Sequence, residues 1–328
     1  MKILRREDLP VHLPYVVATI GNFDGVHLGH QALFRETVRR ARAKGGQAVA
    51  ITFDPHPLQV LRPEIPLKLI CTFEQKVKLI EAAGLDYLLV LEFTPELAQL
   101  EAEDFVEEIL VRGLGIKELV VGYDYRFGRG RRGDTELLRI LGKRFGFEVV
   151  VVPPQKVNGL TVSSTLVREL VAEGEMRLVA KLLGRPYQIC GRVVPGHGRG
   201  KRLLGFPTAN LKLNREKLVP KTGVYAVEVT FDGQRYPGVM NLGFNPTFGD
   251  RYLSAEVHIF DFEGDLYGKE ICIALIERLR DEMKFSSPEE LAAQIAKDCE
   301  MARKILSERE KGEEVGHGMP EGKESQVV

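Results

Sequence analysis

Between residues 16 and 152, short apolar runs alternate with amphipathic stretches, and that alternation leaves few folds open. Val16–Ile20, Ala48–Phe53, Tyr87–Leu91, Glu118–Val121 and Phe147–Val152 read as buried strands. Helical periodicity fills 29–44, 73–83, 102–112 and 134–145. Strands alternating with helices of this length are joined by right-handed crossovers into a parallel sheet. Ligands of such sheets gather at the carboxyl ends of the strands, so the loops that follow the strands are where chemistry is expected.

Two more helices are predicted at Ser163–Ala172 and Met176–Leu183, and then the pattern changes. From Arg185 the apolar runs are short and closely spaced: Tyr187–Val194, Val224–Phe231, Arg235–Asn241, Leu253–Phe260 and Ile271–Leu279. Turn pairs such as Asp232-Gly233 and Glu263-Gly264 separate them, which predicts a small antiparallel barrel. The boundary falls near Gly184-Arg185-Pro186. Domains are therefore expected at 1–184 and 185–307, the second closed by a helix that Ser287 caps and Pro288 opens and that runs to about Leu306. Residues 308–328 carry few apolar groups and are expected to be a disordered tail.

Composition narrows the class. A chain of 328 residues with 44% hydrophobic side chains can bury two cores unaided. Its 46 basic and 46 acidic side chains cancel, so no global field points to nucleic acid or to an anionic membrane. Four scattered cysteines (Cys71, Cys190, Cys272, Cys299), without a C-x-x-C pair, argue against a disulfide scaffold or a zinc site and fit a reducing compartment. No apolar run has the length of a transmembrane helix and the N-terminus lacks a signal-peptide core, so the expected location is the cytoplasm.

The richest segment, Gly21-Asn-Phe-Asp-Gly-Val-His27-Leu-Gly-His30, leaves the first strand and enters the first helix. Free backbone N–H groups at such a place favour anions. His27 and His30 are three apart and share a helix face, while Gly25 and Gly29 remove side chains where a phosphate could approach. The H-x-G-H pattern resembles the signature of nucleotidylyltransferases. A lone histidine pair is more often structural, and it is the position among glycines after a first strand that favours the functional reading. Val162-Ser163-Ser164-Thr165-Leu166-Val167-Arg168 opens a later helix, and its hydroxyls and arginine suit phosphates, although ordinary capping would explain them equally well. Thr52-Phe-Asp54-Pro-His56-Pro57 follows the second strand, where two prolines stiffen the turn and a packing role for His56 stays open. Gly122 to Gly133 follows the fourth strand and sets Arg126, Arg129, Arg131 and Arg132 among aromatics including Phe127, which suits a phosphorylated aromatic ligand. Its Gly128-x-Gly130-x-x-Gly133 is too far from the strand to be a dinucleotide fingerprint.

In the β-rich half, Gly196-His-Gly198-Arg-Gly200-Lys201-Arg202 could cradle phosphates without forming a P-loop, and a flexible hairpin explains it as readily. Thr208 and Asn210 lie two apart in Gly205-Phe-Pro-Thr-Ala-Asn210, so in extended chain they face one side and offer two neutral oxygens to a Mg²⁺ held mainly by ATP phosphates. Glu256 alternates with apolar neighbours on a predicted strand. Aimed into a barrel it would need a job, such as general base for a hydroxyl; pointing to solvent it would need none.

Ten segments, from GNFDGVHLGH through TFDPHP, GYDYRFGRGRRGD, VSSTLVREL, LLGRPY, GRVVPGHGRGKRLLGFPTANL, GVYAV, MNLGFNPTF and AEVHIFDF to RLRDEMKF, occur in the order found in the prokaryotic bifunctional riboflavin kinase/FAD synthetase family. The chain resembles that family over roughly residues 14–306. The resemblance implies an α/β Rossmann-like FMN adenylyltransferase domain followed by a six-stranded antiparallel β-barrel riboflavin kinase domain. It implies riboflavin, FMN, FAD and ATP as substrates and products, with Mg²⁺, and no nucleic acid or membrane; a homo-oligomer is left open. His27 and His30 would stabilise adenylyl transfer and Glu256 would activate the ribityl hydroxyl. Gly21, Phe23, Asp24, Gly25, Gly29, Ser163, Ser164, Thr165 and Arg168 would bind one nucleotide, and Gly196, Gly198, Gly200 and Lys201 the other. Asp54, His56, Asp124, Phe127, Arg129, Arg280, Glu282 and Phe285 would lie by flavin, with Thr208 and Asn210 at the metal. Leu166 stands where many relatives carry a basic residue and Tyr125 where Phe is common. The competing readings are a chain retaining only one of the two activities, or a non-catalytic flavin-binding regulator. An aminoacyl-tRNA ligase is disfavoured by the balanced charge.

Overall fold

In the computed structural model the described residues are 1–195, 207–247 and 250–317. They form two compact units that do not divide the sequence at one point. The first comprises Met1–Glu169, Lys181–Gly184 and Glu216–Leu218; the second comprises Leu170–Ala180, Arg185–Arg215 and Val219 onward.

The first unit is a six-stranded sheet with every neighbouring pair parallel. Its strands are β1 (Lys2–Arg5), β2 (Val16–Ile20), β3 (Gln47–Phe53), β4 (Tyr87–Leu91), β5 (Ile116–Gly122) and β6 (Glu148–Val152), in the order β1-β4-β3-β2-β5-β6. Between them lie the helices α1 (Leu28–Ala43), α2 (Pro57–Leu61), α3 (Phe73–Ala82), α4 (Pro95–Gln99), α5 (Ala102–Phe105) and α6 (Thr135–Phe145). Val106–Gly113 continues α5 as a π-helix. Period-two alternation splits the strand side chains between two cores. Val17, Ala48, Ala50, Leu88 and Val90 meet Phe34 and Ile80 from α1 and α3. Val16, Ala18, Val49, Ile51, Leu89 and Leu91 meet Leu97, Phe105, Leu138 and Leu141 on the other side. A sheet covered on both faces explains why its strands read as unbroken apolar runs. Strand order reverses between β2 and β5, so their outgoing loops flank the switch point where such sheets bind ligands.

After a short hairpin of β7 (Lys156–Val157) and β8 (Leu160–Thr161) come α7 (Ser164–Glu173) and α8 (Met176–Leu183). The second unit holds β9 (Tyr187–Val194), β10 (Ala209–Leu213), β11 (Gly223–Phe231), β12 (Gln234–Thr247), β13 (Asp250–Ile259) and β14 (Glu270–Arg280). They close into an antiparallel barrel, β10-β13-β12-β11-β14-β9. Tyr187, Ile189, Tyr225, Val227, Met240, Leu242, Val257, Ile273 and Leu275 are all nearly inaccessible, and the register places them on one face, the barrel lumen. Val224, Ala226, Val239, Ala274 and Ile276 make a second cluster on the outer face with Ala302 and Leu306 of α9 (Pro288–His317).

Three expectations change. The last helix does not stop near Leu306 but continues to His317, so residues 308–317 are not a disordered tail. Ser307-Glu-Arg-Glu-Lys311 consists mostly of good helix formers, and Arg309 reaches Glu228 at 3.8 Å, so low hydrophobicity alone was a poor stop signal. Cys190 and Cys272 are joined in a disulfide, contrary to the reading of the scattered cysteines. They are 82 positions apart in sequence, but the β9–β14 seam that closes the barrel sets them directly opposite. And β1 and β10 were not among the predicted strands: β1 is four residues long, and β10 carries a polar motif.

Leu306 is 3% exposed and joins α9 to the outer face of the barrel. Leu306→Ala is expected to destabilise the second unit by about 2–4 kcal/mol. Hydrogen exchange should record lost protection in β11 and β14 while β2 and β3 keep theirs.

Candidate functional site

The β2–α1 loop is wound through three left-handed residues, Phe23 (φ 50°), Gly25 (φ 84°) and Val26 (φ 42°). For β-branched Val26 that conformation is strained, and such strain persists only where surrounding bonds impose it. Here Val26 N donates to Phe23 O at 3.1 Å, and Gln31 Nε2 donates to Val26 O at 2.9 Å. Gly25 is required twice over, by its φ and because a Cβ there would lie 2.8 Å from Ile70 Cγ2.

His27 caps α1, its Nδ1 accepting from His30 N at 3.3 Å. With Nδ1 so used, a neutral His27 carries its proton on Nε2 and presents it as a donor. The two imidazoles stack, centroids 3.6 Å apart and 18° from parallel. Gly29 makes room for this, since a Cβ there would stand 3.0 Å from the His27 ring.

Asp24, 4% exposed, binds the loop to everything around it. Its carboxylate accepts from Ile70 N at 3.1 Å, from Cys71 N at 3.2 Å and from the guanidinium of Arg168. Its backbone carbonyl accepts from Ser164 Oγ at 3.0 Å. Ser163 Oγ caps α7 by accepting from Leu166 N at 3.2 Å, and Thr165 is exposed. The starts of α1 and α7, where helix N–H groups point outward, are thereby tied to one residue. Cys71 Sγ accepts from Gly25 N at 3.1 Å and lies 3.7 Å from Asp24 Oδ1. Burial first, then the Asp24 charge, pushes its thiol up to about 11, so it remains S–H.

Lys76, which the sequence reading passed over, is buried where β2 and β3 end. Its ammonium donates to Asn22 O at 3.3 Å, Thr52 Oγ1 at 3.2 Å and Phe53 O at 3.3 Å. Burial lowers its pKa from the usual lysine range. A signal existed: position 76 falls on the apolar stripe that Phe73, Val77 and Ile80 form in α3. His56 caps α2, its Nδ1 accepting from Leu58 N at 3.1 Å. Burial pushes it down to about 4; nearby Asp24 opposes this, while Arg168 and Lys76 add to it. Asp54 is exposed.

In the β5–α6 loop Tyr125 stacks on Phe127, 5.7 Å between centroids, and Phe127 exchanges two backbone hydrogen bonds with Gly133. Burial raises the Tyr125 phenol well above its ordinary value. Arg126 pairs with Asp134 at 3.1 Å and Arg129 with Glu101 at 3.3 Å, both pairs in solvent. Asp124, Arg131 and Arg132 are exposed.

In the barrel unit Glu256 is not in the lumen: its neighbours Ala255 and Val257 are, so it stands on the outer face, half-buried. The register aligns Asn210, Glu256 and Asn241 across β10, β13 and β12. Directly opposed residues share a face, so three polar side chains form one row. Asn241 is the member the sequence reading missed; its flanking pair, Met240 and Leu242, marks it as outward-facing. Ser254 Oγ donates to Glu256 Oε1 at 3.1 Å. Thr208 lies just ahead of β10, where Pro207 O is held 2.8 Å from His258 Nδ1. The Glu282 carboxylate lies over Gly243, where a Cβ would almost coincide with its Oε1. Arg280 spends its fork on Asp298 of α9, Nε to Oδ1 at 2.9 Å and Nη2 to Oδ2 at 2.7 Å, and lies 5.9 Å from the Phe285 ring centroid. Gly196, Gly198, Gly200 and Lys201 lie outside the described residues.

Comparison with known proteins matches residues 10–166 to FAD synthetase and 183–306 to riboflavin kinase. A bifunctional riboflavin kinase/FMN adenylyltransferase of Pseudomonas fluorescens is 43% identical, over 89% of this chain and 93% of its own length. The chain belongs to the bifunctional riboflavin kinase/FMN adenylyltransferase family. The Escherichia coli K12 member is 40% identical over 88% of this chain and 92% of its own. Among solved structures, a Streptococcus pneumoniae chain described as a macrolide-efflux protein superposes with a TM-score of 0.85 at 33% identity, covering 92% of this chain and 99% of that one. No helix among the described residues is long and apolar enough to cross a membrane.

The depressed His56 pKa has a signed consequence. The unfolded chain takes up the proton near pH 6.5 and the folded chain only near 4, so folding stability rises with pH across that window and is level above it. An NMR titration should place the His56 midpoint near 4, and His56→Gln should flatten that part of the stability profile.

Proposed function

We propose that the family's two conversions are carried out by the sites described here. The barrel unit phosphorylates riboflavin to FMN with ATP, and the parallel-sheet unit transfers an adenylyl group from a second ATP to FMN, giving FAD and pyrophosphate. The observation that carries the reading is the convergence of two capped helix N-termini on Asp24 beside stacked His27 and His30. Such a place concentrates donors around a polyphosphate in a position that charge on phosphorus can use.

In adenylyl transfer a phosphate oxygen of FMN attacks the α-phosphorus of ATP. One O–P bond forms as the bond to the bridging oxygen breaks, and pyrophosphate leaves with that electron pair. Nε2–H of His27 and the ring of His30 donate to the phosphoryl oxygens as their charge grows. Gly21, Phe23, Gly25 and Gly29 shape the approach to the nucleotide. Asp24 holds Arg168, and Arg168, Ser163, Ser164 and Thr165 receive the outer phosphates. The loops bearing Asp54, His56, Asp124, Phe127 and Arg129 accept FMN. His56, neutral down to about pH 4, adds no charge of its own to that site at neutral pH.

In phosphoryl transfer Glu256 takes the proton of the terminal ribityl hydroxyl as its oxygen attacks the γ-phosphorus, and ADP leaves. Ser254 holds the carboxylate. The neutral oxygens of Thr208 and of Asn210, which lies opposite Glu256, suit a Mg²⁺ held chiefly by phosphates, which would neutralise charge on the transferring group. Gly196, Gly198, Gly200 and Lys201 would bind the phosphates of this ATP. Glu282 and Phe285 border the flavin, and Arg280 fixes that segment through Asp298. ATP dependence supports a chain acting on small molecules in the cytoplasm.

A time course with riboflavin, ATP and Mg²⁺ tests both halves. FMN should appear before FAD. Glu256→Gln should slow the first step by about 10²–10⁴ and leave FMN adenylylation intact. His30→Ala should halt the sequence at FMN, with the second step slowed about 10²–10³. If neither product forms, the catalytic reading fails and flavin binding alone is left.

A further inference from the structure

The loop 68–71 holds the adenylyl-transfer site together, and what holds that loop comes from far along the chain. Ile70 N and Cys71 N anchor the Asp24 carboxylate, Cys71 Sγ receives Gly25 N, and Lys68 O accepts from Arg168 Nε at 3.3 Å. Glu216–Leu218 runs parallel to this loop: Leu69 N donates to Glu216 O at 2.7 Å and Leu218 N to Leu69 O at 2.8 Å. Between them Lys217, 4% exposed, sends its ammonium to Ile70 O and to Gln75 Oε1 at 3.3 Å. A buried ammonium persists only where such acceptors satisfy it. These three residues fall within the stretch matched to riboflavin kinase, yet they belong to the other compact unit.

We propose that Lys217 is a positioning residue for adenylyl transfer, acting through the loop 68–71 on Asp24 and Arg168 and so on how ATP is held. The proposal rests on the placement of the ATP phosphates at Arg168 given above. Removing the ammonium frees the Ile70 carbonyl to move, and the two N–H groups that fix Asp24 move with it. The loss therefore falls on ATP binding in the second reaction, while riboflavin phosphorylation, which uses none of these groups, is untouched.

The test uses the full chain and measures KM for ATP and for FMN in adenylylation, with riboflavin phosphorylation assayed on the same preparation. Lys217→Met is expected to raise the ATP KM about tenfold as the ammonium's hydrogen bonds to Ile70 O and Gln75 Oε1 are lost. FMN KM and the kinase rate should stay within about twofold. Arg168→Ala should raise the ATP KM further, and the double variant should match Arg168→Ala alone, because both substitutions disable one element. Lys217→Arg, which keeps the cation and its donors, should restore most of the loss and serves if the methionine variant does not fold. Multiplying effects in the double variant, an unchanged ATP KM in Lys217→Met, or equal loss of kcat for both activities would each overturn the proposal. If Arg168→Ala itself leaves the ATP KM unchanged, the placement of ATP is wrong and the proposal falls with it; if only Lys217→Met does, the placement stands.

Discussion

A buried carboxylate must be surrounded by donors, and the ring of donors around Asp24 organises the parallel-sheet unit. Two backbone N–H groups come from residues 70 and 71, a guanidinium from α7, and a serine hydroxyl reaches the adjacent carbonyl. Those partners come from two parts of the chain far from Asp24 in sequence, residues 70–71 and the start of α7. Satisfying one charge therefore fixes the β2–α1 loop, the segment before α3 and the start of α7 at once. The left-handed turn through Phe23, Gly25 and Val26 follows from this, because only a loop doubled back on itself places both the carboxylate and the Gly25 N–H toward residues 70–71. The histidines then sit where the doubled loop releases the chain into α1.

The barrel unit solves a different problem with the period of the strand. Along β12, Met240 and Leu242 fill the lumen, Val239 joins the cluster beneath α9, and Asn241 stands in the polar row with Glu256 and Asn210. One strand thus serves a core, a helix contact and a site, and its register decides which residue does which. With that polar row on the outer face, the lumen is packed with aliphatic, methionine and tyrosine side chains.

Much of this was legible. Val16–Ile20, Tyr87–Leu91, Met176–Leu183 and Tyr187–Val194 have the bounds their apolar patterns predict, because burial on one or both faces leaves a clear period. The loops with H-x-G-H and S-S-T-x-x-R fall at helix starts as their composition implies. What periodicity cannot report is which distant segments meet. The opposition of Cys190 to Cys272, and of Lys217 to Leu69, depends on the closed topology. Nor does alternation say which face of a strand is inside, and Glu256 was open to both readings until Ala255 and Val257 were seen in the lumen. Lys76 was readable, as a cation in an apolar stripe, and was missed because lysine is so often solvated.

The course of the chain through the two units also sets an order in time. A ribosome that has made residues 1–184 has delivered all six strands of the parallel sheet, yet the Glu216–Leu218 segment that clamps residues 68–71 is still to come. The 34 residues from 184 to 218 take roughly 2–7 s at ordinary elongation speeds. During that interval the nascent sheet can collapse on its own apolar faces, but the Asp24 site remains without its outer clamp. A chain cut at the boundary the composition suggests would be held in that state permanently, which makes the last step in building the first half a task of the second.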